Sequence, residues 1–304
     1  MHERIAHHIY GCNGNDGTCP KPKNPHDYAP DAVIAGTQWN DNPPFVLAKT
    51  SMKDCMGEVI QLPKHSVCWA RLLKDGEKRA QNGEVFDAFS NAVLVLRVHF
   101  GDLQFLHSMA SRDGEDPQVT RQRILMWAEF TYRVATGYFR RDTVLNQTGI
   151  PGMKELFGNR GWTVQQIFTM GDPTYRKDQD IKNLAFGSLL HMVSDSFAES
   201  HTDREEPTGA YCKEASTYLE PGRIKNFHAY SHQDHKKHAT KDTQNALGMH
   251  LATAQPNVVD IGKILLVYYR EGKSWTEVKG FMECVFSLDE MATTAGPGDL
   301  FLPN

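Results

Sequence analysis

The chain has no apolar run long enough to cross a bilayer. Its longest apolar stretches, such as Ala92 to Leu96, fall far short of the roughly 20 residues a spanning helix needs. It has no excess of basic residues. Thirty-three Lys and Arg stand against 37 Asp and Glu, a formal net charge of −4. That balance speaks against a protein that wraps duplex nucleic acid, where a basic face supplies most of the affinity. A small active site acting on single strands stays open. No CxxC pair occurs, which removes a zinc ribbon. No segment alternates apolar and polar residues between turn signals, so strands are not expected. The opening MHERIAHHIYG has no basic segment followed by an apolar one, so no signal peptide is expected there. Either the protein is made without one, or it has been removed and replaced by a start Met.

What remains is ordinary in bulk and unusual in detail. The 304 residues are 40% hydrophobic and 23% charged, enough to bury one large core. Six cysteines form an even set. Cys12 and Cys19 bracket a Gly/Asn-rich loop and Cys55 and Cys68 another short segment, loops that a disulfide closes easily in an oxidising compartment. Free thiols in a cytosolic protein are the alternative. Cys212 and Cys284 are too far apart in sequence to assign.

Residues 1–84 are punctuated by Pro, Gly, Asn and Asp and read as loops, with a short helix at Pro30 to Gly36. From Glu84 the texture turns helical. EVFDAFSNAVLVLRVHFGDLQFLHSMA has apolar residues at three- and four-residue steps. Asp116-Pro117 supplies a cap and a first-position proline for a helix ending at Gly137. WTVQQIFTM is a short helix, and DIKNLAFGSLLHMVSDSFAESH a strong amphipathic one. HKKHATKDTQNALGMHLATA, NVVDIGKILLVYYREG and SWTEVKGFMECVFSL complete the set. The expected fold is all-α: a bundle of about seven or more helices with a long irregular N-terminal arm, as one domain over 1–304.

The 14 histidines are clustered. His191 and Asp195 are four apart on a helical pattern, so an imidazole and a carboxylate share one face. His201 follows six residues later. Alone, an HxxxD pair is more often a surface or core pair than a metal site. But NFHAYSHQDHKKHATKD repeats the arrangement in His238 and Asp242, with His228, His232, Asp234 and His235 nearby. Upstream stand Asp41 in QWNDNPPF, Asp102 and His107 in FGDLQFLHSMA, and His2, His7 and His8 at the start.

These residues resemble the zinc-dependent phospholipase C and single-strand-specific zinc nuclease superfamily. His191, Asp195 and His201 match its central run in spacing. His238 and Asp242 match its closing pair. Asp41 after Trp39 looks like its early aspartate, His107 like the next histidine, and His2 and His7 like its first ligands. AGTQWNDNPPF, FGDLQFLHSMA and SDSFAESH look closer to the bacterial zinc metallophospholipases C than to the nucleases. The family's first ligand is typically a Trp at the mature N-terminus; here it would be His2, behind Met1. Asp102 is the alternative to Asp41 as early carboxylate.

The resemblance implies a zinc hydrolase holding two to three ions. One zinc would take Asp41, His107, His191 and Asp195. A second would take His201, His238 and Asp242, and a third His2, His7 and the other oxygen of Asp195. Asp41 and Asp195 would be the catalytic carboxylates. His228, His232, Asp234 and His235 would lie behind the ligands or toward the substrate, while His26, His65, His99 and His250 have ordinary structural roles. The implied substrate is a glycerophospholipid at a membrane surface, phosphatidylcholine first, cleaved to diacylglycerol and a phosphorylated headgroup. Trp39, Phe45, Tyr211 or Tyr230 could meet a choline through cation–π contact, although each taken singly is more often a core residue. The implied setting is a monomer secreted by a bacterium, or one delivered into a host cell. The alternative activity is hydrolysis of single-stranded nucleic acid.

Overall fold

The structure, a computed structural model, describes residues 1–12, 19, 28–47, 55, 57, 59–62, 64–90, 92–172, 174–213, 215–241 and 243–303. Among them are α1 (His2–Tyr10), α2 (Asp31–Trp39), α3 (Ser66–Gln81), α4 (Leu94–Phe100), α5 (Pro117–Ala135), α6 (Met153–Phe157), α7 (Val164–Thr169), α8 (Asp178–Asp195), α9 (His235–Lys241), α10 (Gln244–Thr253), α11 (Val258–Arg270) and α12 (Trp275–Val285). Two small antiparallel ladders accompany them: β1 (Phe45–Val46) with β2 (Val59–Ile60), and β3 (Thr202–Arg204) with β4 (Ile224–Phe227). The fold is mostly helical, as the periodicity predicts.

α5 follows its sequence signals. The Asp116 side chain accepts from Gln118 N–H at 2.7 Å, Pro117 opens the helix, and Gly137 at φ +80° lies just past its end. α8 is not amphipathic, contrary to the sequence reading. From Leu184 to Asp195 every residue is buried, so this helix runs through the core. α2 and α5 flank it, and Trp39, Trp127, Phe130 and Phe168 pack as an aromatic cluster between them.

The N-terminal arm is less irregular than expected. It holds α1, α2 and α3: α2 answers to the short helix expected at Pro30 to Gly36, while α1 and α3 form where loops are expected, with Asp75 and Gly76 inside α3. α1 buries Ile5 and Ile9, the latter against Gly262 of α11. α3, α4 and the β1–β2 ladder enclose a second small core around Phe45, Ile60, Leu72, Phe86 and Leu96. The long helix expected over Glu84–Ala110 reduces to α4 and a 3-10 turn, Gln104–His107. Gly101 breaks it: the chain there is extended, and a Cβ would lie 1.9 Å from the Phe86 carbonyl oxygen. Cys12–Cys19, Cys55–Cys68 and Cys212–Cys284 form disulfides. This rules against free thiols and points to an oxidising compartment.

α2 crosses α8 at two glycines. A Cβ on Gly36 would stand 2.3 Å from the Leu184 carbonyl oxygen, and one on Gly187 2.1 Å from that of Val33. Only this approach brings the last turn of α2 onto His191. Gly187→Ala should therefore cost about 2 kcal/mol, in the range for forced overpacking, read as a lowered calorimetric melting temperature. An unchanged melting temperature would show that the helices separate freely.

Candidate metal centre

Three elements meet at the C-terminal turn of α8. The last turn of α2 carries Thr37, and Asn40 and Asp41 follow directly after its end. The Asn40 amide donates to the Leu106 carbonyl at 2.7 Å and accepts from Ser188 Oγ at 2.6 Å, while Trp127 Nε1 donates to that hydroxyl at 3.0 Å. One buried amide thus locks the end of α2, the 3-10 turn bearing His107, and α8 together. His191 and Asp195 lie one helical turn apart, both at zero exposure.

Asp41 Oδ1, His107 Nδ1, His191 Nε2 and Asp195 Oδ2 converge. His107 Nδ1 is 3.1 Å from His191 Nε2, 3.0 Å from Asp195 Oδ2 and 3.8 Å from Asp41 Oδ1. His191 Nε2 is 2.9 Å from Asp195 Oδ2 and 3.9 Å from Asp41 Oδ1. Ligands at the usual 2.0–2.2 Å from one tetrahedral ion stand about 3.3–3.6 Å from each other. The observed separations bracket that edge. The other oxygen of Asp195 faces His2 Nε2 at 3.2 Å, so this carboxylate spans two groups of imidazoles. His2 comes from α1, its ring 3.9 Å from that of His191.

The hydrogen bonds behind the imidazoles decide what these atoms can be. His191 Nδ1 donates to the Thr37 carbonyl at 2.6 Å, so in the neutral ring Nε2 carries a lone pair aimed at a carboxylate. His201 Nδ1 donates to the His107 carbonyl at 2.7 Å, and His238 Nδ1 to Gln233 Oε1 at 2.6 Å. Their two Nε2 atoms nevertheless face each other at 3.2 Å. With both rings neutral two lone pairs meet there, and either a proton on one ring or a shared cation would join them. Nδ1 bonded to an oxygen with Nε2 presented is how ligating histidines are held. His2 Nδ1 and His107 Nε2 are buried with no hydrogen bond among the described residues. Two groups, His2–His191–Asp195 and Asp41–His107–His191, have ligand atoms close enough to hold an ion, and because both count His191 its single free Nε2 can serve only one of them at a time. The donors are imidazole and carboxylate without thiolate, a set that suits zinc and other first-row divalent ions.

The electrostatics fit a cation. Burial pushes the Asp195 carboxyl upward, but His191, His201 and His2 hold it well below the usual carboxylate range. Asp41 is also lowered, burial being outweighed by His191, His107 and His2. Burial depresses His2 and His238 to about 3, so both rings are neutral at pH 7 and ready to ligate. Burial also opposes charge on His191, yet Asp195 and Asp41 raise it to about 9. In the ion-free protein its imidazolium stabilises the fold fully below 6.5, and that contribution disappears as pH rises through about 9. An ion must displace this proton. Calorimetric zinc titrations at pH 7 in two buffers of different ionisation enthalpy should report about one proton released per chain, on binding of the ion that His191 ligates. Zero release would show His191 outside the ligand set.

No family model matches the chain, nor does any curated protein or solved structure. The residues themselves must therefore carry the reading.

Of the nine expected ligands, His2, Asp41, His107, Asp195, His201 and His238 line one cavity of about 140 Å³, and His191, though not on its wall, stands 2.9 Å from Asp195 Oδ2. Asp242 lies outside the described residues, as does His26. His7 does not join the group. Five residues on from His2, it points about 140° around α1, where its Nδ1 accepts from Ala29 N–H and its ring meets Tyr28. Asp102 is occupied by Arg97 in a two-pronged ion pair at 2.8 and 2.9 Å, which leaves Asp41 as the early carboxylate.

The cluster after His228 divides. His228 is buried, with Nδ1 donating to the Ser200 carbonyl at 3.1 Å. His232 pairs with Asp113, Asp234 accepts from the backbone at the start of α9, and His235 pairs with Glu77. Trp39 and Phe45 belong to the two cores and Tyr211 is exposed, whereas Tyr230 lines the cavity. Burial lowers His250 to about 4; His250 Nε2 accepts from Val258 N–H, a structural role as expected. His65 Nδ1 likewise accepts from Gln61 N–H. His99, expected to be structural, is a wall of the cavity, its Nε2 donating to the Asp41 carbonyl at 2.8 Å. Nothing in its local pattern, VHFGD, marks that role.

Proposed function

We propose that the chain is a metal-dependent phosphodiester hydrolase of the zinc-dependent phospholipase C type, acting on glycerophospholipids. The observation that carries this is the Asp41–His107–His191–Asp195 constellation at the base of an open cavity, with a second imidazole pair across from it. A divalent ion held by those four side chains would polarise a phosphoryl oxygen and activate water for attack. Zinc, at two to three ions per chain, is the metal we assign.

The rest is the work of the protein. Asp41, with 43% of its side chain exposed, is the carboxylate that reaches the cavity and can hold the proton released in the attack. The His99 bond to its backbone carbonyl keeps it there. Asp195, wholly buried, holds its two oxygens toward separate imidazole sets. A cavity of about 140 Å³ is smaller than the 300–1,000 Å³ of ordinary ligand pockets. It suits a phosphoryl group entering alone, with acyl chains left outside, as cleavage on the headgroup side of a lipid requires. Tyr230 on its wall can face a cationic headgroup. The disulfides support a secreted enzyme.

Elemental analysis should find zinc. Incubation with phosphatidylcholine vesicles, and separately with single-stranded DNA, each with and without chelator, tests the substrate. Chelator-sensitive release of phosphocholine is expected. Cleavage of DNA alone would replace the lipase reading with the nuclease one, and absence of metal would end both.

A further inference from the structure

We propose that Gln233 is the positioning residue that sets both imidazoles of the His201–His238 pair, and that it ties them to the C-terminal strap over 297–302. The inference rests on reading that pair as ion ligands. Gln233 is 4% exposed. Its Nε2 donates to two carbonyls, Ser200 at 2.8 Å and Pro297 at 2.7 Å. A carbonyl can only accept, so these two bonds fix which end of the amide is nitrogen. Oε1 is thereby turned to His238, and the His238 Nδ1 must carry its proton toward it at 2.6 Å. That tautomer is the one that presents Nε2 to the pair.

The same amide acts on the other ring through the backbone. Ser200 precedes His201, and its carbonyl takes both Gln233 Nε2 and His228 Nδ1, while His228 N–H donates to the His201 carbonyl at 2.8 Å. His201 is therefore held from its own main chain and His238 from its ring, by one side chain. The strap completes the arrangement. The Phe301 carbonyl accepts from Asp234 N–H at 2.6 Å and that of Leu302 from Lys237 Nζ at 2.7 Å, so residues 297–302 hold Gln233 itself through Pro297 and the start of α9 just after it. Without the strap, the amide would have one carbonyl fewer to decide its orientation.

Two variants of the full-length chain separate this from plain packing. Gln233→Met keeps length and loses every hydrogen bond. Gln233→Glu keeps an acceptor for His238 Nδ1 and loses both donors. Zinc affinity is read by competition with a chelator, and the His238 tautomer by imidazole ¹⁵N shifts of the zinc-loaded protein. Gln233→Met should weaken one ion by about 10–100-fold, the usual effect of removing a group that orients a ligand, leaving the remaining zinc bound. Gln233→Glu, which keeps the acceptor for His238 and loses the hold on Ser200, should lose less zinc affinity than Gln233→Met and keep the wild-type tautomer, while its ion-free melting temperature falls because a carboxylate then faces two carbonyls. Wild-type zinc affinity in Gln233→Met, or equal loss in both variants, would overturn the role of Gln233 with the metal reading intact. A wild-type chain that takes up no zinc would instead overturn the metal reading itself.

Discussion

Asp195→Asn should leave a folded protein that no longer hydrolyses its substrate. The substitution keeps shape and removes charge. Asp195 is buried, with Oδ1 facing His2 and Oδ2 facing His191 and His107 at 2.9–3.2 Å. An amide can offer one oxygen to one of these sets and must turn N–H groups toward the other. Zinc bound per chain should fall, and turnover by about a thousandfold or more, since several kcal/mol of transition-state stabilisation depend on the ion and each 1.36 kcal/mol is tenfold. Elemental analysis and headgroup release measure the two effects. A second signature comes with them. His191 is raised to about 9 chiefly by Asp195 working against burial, so in the variant its titration should move down toward neutrality or below. Turnover at wild-type rate would remove Asp195 from the ligand set and the proposed chemistry with it.

That site was legible in the sequence where one helix carries it and less so where loops do. HxxxD places two side chains on one face by helical geometry alone, and the structure puts His191 and Asp195 there. The same reasoning explains the placement of His7: once α1 is a helix, residues five apart diverge. In the arm, Pro30 announces α2, but α1 and α3 carry no such signal, and Asp75-Gly76 reads as a turn although it lies inside α3, where Gly76 leaves room for Leu96 and Phe100. The helix over Glu84–Ala110 was overextended because its apolar period hides Gly101, whose significance is a close approach to Phe86 that no local pattern announces. His99, Thr37 and Gln233 were not singled out as site residues for a related reason. They act through hydrogen bonds to main-chain carbonyls or to another residue's ring, contacts made by tertiary packing rather than spacing. The Cys212–Cys284 bridge, 72 residues apart, is likewise a consequence of the fold.

Removing the ions should lower the melting temperature without abolishing the fold. A ligand present at 1,000 times its dissociation constant stabilises the native state by about 4 kcal/mol, and with an unfolding entropy of about 2.1 cal/mol/K per residue each kcal/mol moves the melting point of a domain this long by about 1.5 °C. Chelation should therefore cost roughly 6 °C for each tightly bound ion. The fold should survive because the aromatic core between α2, α5 and α8 and the three disulfides stand apart from the ligands. The size of the effect should depend on pH with a definite sign. His191 is protonated in the ion-free protein below about 9, and its pairing with Asp195 and Asp41 substitutes in part for the missing ion. As pH rises from 7 through 9 that substitute is lost, while zinc no longer has a proton to displace. The gap between zinc-loaded and chelated melting temperatures should therefore widen over that interval. Scanning calorimetry of both forms at pH 7, 8 and 9 tests this. A gap that narrows with pH would take His191 out of the ligand set, and no gap at any pH would show that the buried imidazoles and carboxylates hold one another by proton-mediated bonds alone, with no cation at their centre.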